Sequence, residues 1–143
     1  MQLHALKYYT NFSSPSYLLR QRRPILFQII LDNPKTDTMI IQFLVDHGAW
    51  DVHVLKAIEM VGNDKCRKGN VAMDVGANLG LFTNAMISMG CQVTSFEIQP
   101  NMAQRVMFSA CSNGKKDCLT LHVGDVGKHS GMLKMVNAGA RIN

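Results

Sequence analysis

The sequence predicts an α/β fold built on a mostly parallel sheet, and three observations carry that prediction. Strand-like and helix-like stretches alternate from Val71 onward. A glycine turn, Asp74-Val75-Gly76-Ala77-Asn78-Leu79-Gly80, leads from the first of these strands into a helix. An acid, Glu97, closes the next strand. Alternation at this spacing makes βαβ units, whose crossovers are right-handed and whose strands lie parallel.

The elements follow in order. Residues 1–36 mix Pro15, Pro24 and Pro34 with tyrosines, serines and arginines, and read as an irregular basic extension with one short strand near Ile25–Leu31. Residues 37–143 read as part of a folded domain. Met39–Val45 is a second short apolar run, ended by His47-Gly48. From Asp51 the pattern turns helical: Val54, Leu55, Ile58 and Val61 share a face, with Asp51 as N-cap and Gly62 as the stop. Asn63–Asn70 is a polar loop. Val71–Val75 has the look of a buried parallel strand interrupted by one acid. Asn78–Met89 predicts a helix with Leu79, Phe82, Met86 and Met89 on one face and Gly90 at its C-terminal end. Gln92–Glu97 alternates as a strand. Asn101–Cys111 is a second helix of this part, with Met102, Val106, Met107 and Ala110 inward, closed by Asn113-Gly114. Leu119–Val123 is a third strand and Met132–Met135 a fourth.

Bulk properties narrow the function classes. A chain of 143 residues has room for one core. Lys7, Arg20, Arg22, Arg23 and Lys35 face Asp32 alone within residues 1–35, so nearly all of the net charge of +5 sits in the extension. Short basic clusters of this kind read as solvated linker before they read as nucleic-acid or membrane contacts, and no nucleic-acid partner is favoured. No run of about 20 apolar residues marks a transmembrane helix, and the N-terminus lacks the order of a secretory signal, which leaves a cytoplasmic location by default. Cys66, Cys91, Cys111 and Cys118 form no CxxC pair and have no histidine at metal-ligand spacing. They read as reduced, partly buried thiols of a reducing compartment, and no metal site is expected.

The turn at residues 74–80 is where ligand chemistry is expected. Gly76 takes a positive φ and turns the backbone sharply. Gly80, without a side chain, allows the ligand and the first helical turn to approach closely. N–H groups without partners at a helix start favour an anionic group. Glu97, at the end of the next strand, is placed to accept hydrogen bonds from two vicinal ribose hydroxyls. A nicotinamide or flavin site wants GxGxxG fitted to a pyrophosphate. This chain has GxNxG, with Asn78 at the middle glycine position and Asp74 two residues ahead of the first. A carboxylate there repels a pyrophosphate and suits a ligand that carries a sulfonium and an ammonium beside a carboxylate, which describes S-adenosylmethionine.

Those residues carry a family resemblance. Asp74–Thr83 (DVGANLGLFT) followed by Ser95–Pro100 (SFEIQP) resembles the FkbM family of methyltransferases, whose pattern is close to DvGANiGyft and then a strand ending in fEP. His47-Gly48-Ala49-Trp50-Asp51 looks like the family's G-x-W-E segment. Cys111-Ser112-Asn113-Gly114 and Val126-Gly127-Lys128-His129-Ser130-Gly131 extend the likeness, which covers residues 37–135. The resemblance implies a Rossmann-like class I methyltransferase fold and S-adenosylmethionine-dependent methyl transfer, often to a hydroxyl oxygen of a small molecule or glycan. It implies that Asp74, Gly76, Asn78 and Gly80 hold the methionine part and Glu97 the ribose. Ile98 then lies against the adenine, with the backbone near Asp125 at its edge. Two departures stand out. The family's proline after the acid is Ile98 here, with Pro100 two residues later, so the turn after Glu97 is expected to differ. The family also continues into a strand with a K-x-D-x-E-G-like motif, and nothing like it follows Met135. The expectation is therefore the cofactor-binding half of the domain, a fragment or shortened product. Its Val71–Val75 strand becomes an open edge capable of self-association.

Plainer roles stand beside these. Asp74 and Asn78 serve equally as turn and helix caps, Glu97 as a solvated strand-end acid, and Gly124-Asp125 as ordinary turn chemistry. His4, His47, His53, His122 and His129 are scattered and read as surface or packing residues, Trp50 as packing under the domain, and the methionines as core filler. No residue is assigned as catalytic. Two other classes remain: an inactive half-domain that binds a partner through its unpaired edge, and a nicotinamide-dependent oxidoreductase.

Overall fold

The computed structural model describes residues 17–21, 25–31, 40–47, 50–66, 70–128 and 131. An antiparallel hairpin of β1 (Tyr17–Gln21) and β2 (Phe27–Leu31) precedes two helices, α1 (Ile40–His47) and α2 (Val52–Lys65). Then come β3 (Val71–Val75), α3 (Leu81–Ser88), β4 (Gln92–Glu97), α4 (Pro100–Ser112) and β5 (Leu119–Val123), the last entered through a 3-10 turn at Lys116–Cys118. The three later strands form a parallel sheet in the order β3-β4-β5, with Val71 opposite Gln92 and Val93 opposite Leu119. The chain is thus mixed α/β with a parallel sheet, and those three strands fall on the residues that the alternation predicts. The expected fourth strand, Met132–Met135, lies outside the described residues.

Helices α3 and α4 touch both β2 and the sheet, so they form a middle layer. This explains the hairpin, most of which the sequence reads as irregular. Phe27, Ile29 and Leu31 of β2 are fully buried, and they share one core with Ile41 and Leu44 of α1, Leu55 of α2, and Leu79, Leu81 and Ala85 at α3. Side chains of α4 also hold the edge of β2: Ser109 Oγ accepts the N–H of Ile30 at 2.9 Å. Asn113 grips Gln28 on both sides, accepting its N–H at 2.8 Å and donating to its carbonyl at 2.7 Å. The apolar run at Met39–Val45 becomes α1. Trp50 packs on this core and meets Phe43 edge-on at 5.1 Å, while Phe43 stacks on His47 at 4.1 Å.

Several local expectations need correction. Asp51 is the N-cap residue of α2, as expected, but it caps through its backbone and not its side chain: its backbone is left-handed (φ 47°), and its carbonyl accepts from Val54 and Leu55. Gly62 does not stop α2, which runs on to Lys65. Met89 lies against it: a Cβ on Gly62 would come 2.7 Å from Met89 Cε, so a larger residue would need that flexible side chain to shift. Helix α3 starts at Leu81 and not at Asn78, since Asn78 and Gly80 both have positive φ (51° and 79°) and cannot belong to a right-handed helix. Being wrapped on two sides, α3 buries Leu81, Thr83, Asn84, Ala85 and Ile87, a broader surface than the single predicted stripe.

The reading of all four cysteines as reduced is also corrected. Cys66, which ends α2, and Cys91, which precedes β4, form a disulfide across 25 residues, while Cys111 and Cys118 are free thiols. Topology brings the pair together, and no short spacing announces it.

The sheet is covered on one face. On the other, Val71, Met73 and Val75 of β3 are 72%, 65% and 55% exposed, which corrects the reading of Val71–Val75 as a buried strand. Strand β3 is an edge strand of the described sheet, the open edge also expected, and only one of its faces is covered. An apolar groove of about 680 Å³ lies between α2 and β3, with Val54, Val61, Val71 and Met86 among its walls. No helix among the described residues is long and apolar enough to cross a membrane.

Candidate ligand site at the glycine turn

Parallel strands end on one edge of a sheet, and ligands of open α/β sheets bind beyond that edge. Strand β3 delivers Asp74 and the glycine turn there, and β4 delivers Glu97 and Ile98. The two are tied together closely. The carbonyl of Phe96 accepts the N–H groups of Gly76 and Ala77 at 2.9 and 3.0 Å, and the N–H of Gly80 returns to the carbonyl of Ala77 at 2.8 Å. The carboxylate of Glu97 accepts the N–H of Asn78 through Oε2 at 2.7 Å and that of Gln99 through Oε1 at 2.8 Å. Glu97 is 4% exposed.

This changes one expectation. The N–H groups of the turn were expected to wait for an anion from outside; Glu97 is that anion, supplied by the protein itself. A carboxylate has about four acceptor sites, so Glu97 keeps acceptor capacity beyond the two backbone bonds.

Asp74 is held from the other side. The hydroxyl of Thr83, in the first turn of α3, donates to Asp74 Oδ2 at 2.5 Å, and Thr83 Oγ1 lies 2.8 Å from Ser95 Oγ of β4. Thr83 and Ser95 are fully buried. Burial pushes the carboxyl of Asp74 above its ordinary value; the bonds from Thr83 pull it back down, and the neighbouring charge of Glu97 adds to the rise. Two carboxylates therefore act on one turn.

The two glycines do different work. A Cβ on Gly76 would meet nothing within 4 Å, so its positive φ (80°) opens onto free space. A Cβ on Gly80 would lie 2.9 Å from Asn84 Nδ2 and 3.2 Å from Val106 Cα. The close approach at Gly80 is thus between α3 and α4, where the sequence placed a ligand. Ile98 is half-buried directly after β4. Asp125 is exposed, its Oδ1 accepting the N–H of Val126 at 2.8 Å; the chain reaches it from Gly124, whose N–H donates to the Glu97 carbonyl at 3.0 Å. Asp74, Gly76, Asn78, Gly80, Glu97 and Ile98 thus line one strand edge or its turn, and Asp125 follows from the same edge.

Sequence reasoning missed Thr83 and Ser95. The signal for Ser95 was present in the alternation of β4, which puts Val93, Ser95 and Glu97 on one face. Among the histidines, His122 stacks on Phe96 at 4.8 Å, His47 stacks on Phe43, and His53 is exposed; His4 and His129 lie outside the described residues. Among the described residues no cluster of His, Cys, Asp or Glu is arranged to hold a metal ion.

Chemically, the turn offers negative charge, an open side at Gly76, and N–H groups already bonded to protein acceptors. Such a surface suits a cation and disfavours a diphosphate. No protein-family model matches the chain, and no curated protein matches it.

Proposed function

We propose that this chain carries the S-adenosylmethionine-binding half of a Rossmann-like class I methyltransferase of FkbM type. One observation carries the reading: Asp74 and Glu97 converge on a glycine turn whose N–H groups at residues 76, 77 and 78 are satisfied from β4. A diphosphate at this turn would meet two carboxylates and few free donors. A ligand with a sulfonium and an ammonium would be attracted, and its charge would relieve the repulsion between the two acids.

By motif position, Asp74, Gly76, Asn78 and Gly80 border the methionine part, and Glu97 takes the ribose hydroxyls with its remaining lone pairs. Ile98 faces the adenine, and the backbone at Asp125 its edge. The bound cofactor supplies an electrophilic methyl group on a cationic sulfur. The acceptor is proposed to be a hydroxyl of a small molecule or glycan. No described residue is placed as a base, and alignment of the reacting groups supplies much of the rate in such a transfer. Isothermal titration with S-adenosylhomocysteine tests the reading: heat of binding with competition by S-adenosylmethionine is expected, and the absence of both rejects it.

A second reading, a binding module without activity, is favoured by the apolar groove beside the open edge of β3. A stable oligomer with no affinity for S-adenosylhomocysteine would support it. The Cys66–Cys91 bridge favours an oxidising compartment over the cytoplasmic location expected from composition.

A further inference from the structure

We propose that Thr83 is a positioning residue of the site: its hydroxyl, backed by Ser95, holds Asp74 as a carboxylate turned toward the first turn of α3, so that fixed negative charge lies beneath the glycine turn when a cationic ligand arrives. The inference rests on the cofactor reading above for its ligand, but its geometry is independent of that reading.

The argument begins with the surroundings of Asp74. Its strand packs against β4 and α3. Neither α3 nor the buried face of β4 brings a cation to it. The charged group that acts on Asp74 is Glu97, and it acts by repulsion. An acid that is mostly buried beside another acid tends to take up a proton, and a protonated Asp74 would offer no charge to a cation. Protonation is opposed by hydrogen bonds from Thr83, one from its hydroxyl at 2.5 Å and one from its backbone, and the first, larger one depends on the side chain. A hydroxyl that gives its proton to Asp74 needs a donor for its own oxygen, and Ser95 Oγ at 2.8 Å is in place to be one. Proton direction then runs Ser95 to Thr83 to Asp74, from β4 through α3 to β3. Burial of both hydroxyls keeps water from replacing either bond.

The test compares Thr83→Val, which keeps the shape and removes the hydroxyl, with Thr83→Ser, which keeps the hydroxyl. Titrations with S-adenosylmethionine, and with S-adenosylhomocysteine as the analogue without the sulfonium charge, are run from pH 5 to 8 and paired with thermal melts. Thr83→Val is expected to bind about ten-fold more weakly on the acid limb, where a one-unit rise in the midpoint of Asp74 leaves about a tenth as much of it ionised, and to approach the parent as pH rises. The acid limb of its binding curve should move up by about one pH unit, because the bond that favours the ionised form is gone. Thr83→Ser should stay within about two-fold of the parent, and a merely structural role would not restore the pH profile in this way. An unchanged pH profile in a folded Thr83→Val, or failure of Thr83→Ser to rescue it, overturns the proposal. If Thr83→Val does not fold, Ser95→Ala carries the test: its acid limb should move the same way by a smaller amount, and no movement overturns the proposal. If the parent chain itself binds no S-adenosylhomocysteine, the cofactor reading fails alone. The carboxyl carbon of Asp74, followed by NMR against pH, then decides: its midpoint should rise in Thr83→Val, and an unmoved midpoint overturns the positioning role.

Discussion

The side-chain carboxylate of Glu97 accepts the backbone N–H of Asn78 at 2.7 Å, and this bond locks the end of one parallel strand onto the turn that follows the other. Asn78 sits there with a left-handed backbone (φ 51°), a conformation that costs a non-glycine residue free energy and that the bond helps to hold. Replacing Glu97 by Gln puts an amide NH₂ in place of one acceptor, against the N–H of Asn78 or of Gln99. Glu97→Gln is expected to lose about 1 kcal/mol of stability, the low end of the cost of a donor left without its acceptor, because the two bonds are only partly buried. Chemical denaturation measures it; a change within error would show that the clasp contributes nothing.

Asp74 gives the opposite sign. Its folded-state carboxyl lies above the ordinary value of 3.8, so the folded chain holds that proton more tightly than the unfolded chain does. This contribution to stability is complete below 3.8 and is lost as pH rises through the raised folded value. At neutral pH Asp74 is therefore a liability to the fold. Asp74→Asn, which still accepts from Thr83, should melt higher at pH 7 by roughly 3 °C, and its stability should vary less between pH 4 and 7. The same variant should lose affinity for a cationic ligand. A lower melting temperature at pH 7 would contradict the assignment.

The glycines should separate cleanly. Gly76→Ala meets open space and should cost only the strain of its positive φ, about 1 kcal/mol. Gly80→Ala adds a collision with Asn84 and with the backbone of Val106, and should cost at least about 3 kcal/mol. Equal losses in the two variants would show that α3 and α4 are free to move apart.

Alkylation of the denatured, unreduced chain should modify Cys111 and Cys118 and spare Cys66 and Cys91. Opening a bridge across 25 residues should lower stability by roughly 3 kcal/mol, seen as a shifted denaturation midpoint in Cys66→Ser or after reduction. Four modified cysteines without reductant would rule the bridge out.

Legibility from the sequence follows physical scale. Strand β3 is readable as a short apolar run and β4 by its alternation, with β5 following at the same spacing, and α4 is readable from the helical spacing of Met102, Val106, Met107 and Ala110 before Asn113-Gly114. The convergence of Asp74, Gly76 and Glu97 on one edge follows from parallel pairing alone. What could not be read depends on which elements meet. Gly62 looks like a stop until Met89 is known to lie against it, and Gly80 looks like a ligand contact until Val106 does. Strand β2 is legible as the short apolar run near Ile25–Leu31, whereas β1 is not, because what makes Tyr17–Gln21 a strand is its pairing with β2. Thr83 and Ser95 are unremarkable apart from each other; only the packing of α3 on β4 makes them one chain of hydroxyls.

The grip of Asn113 on Gln28 spans 85 residues, so β2 is seated from the end of the last described α-helix. On a ribosome that adds roughly 5 to 20 residues per second, Phe27, Ile29 and Leu31 are made about 4 to 17 seconds before Asn113. Through that interval the apolar face of β2 has α1, α2 and then α3 to lie against, and its seat is completed only when α4 is made.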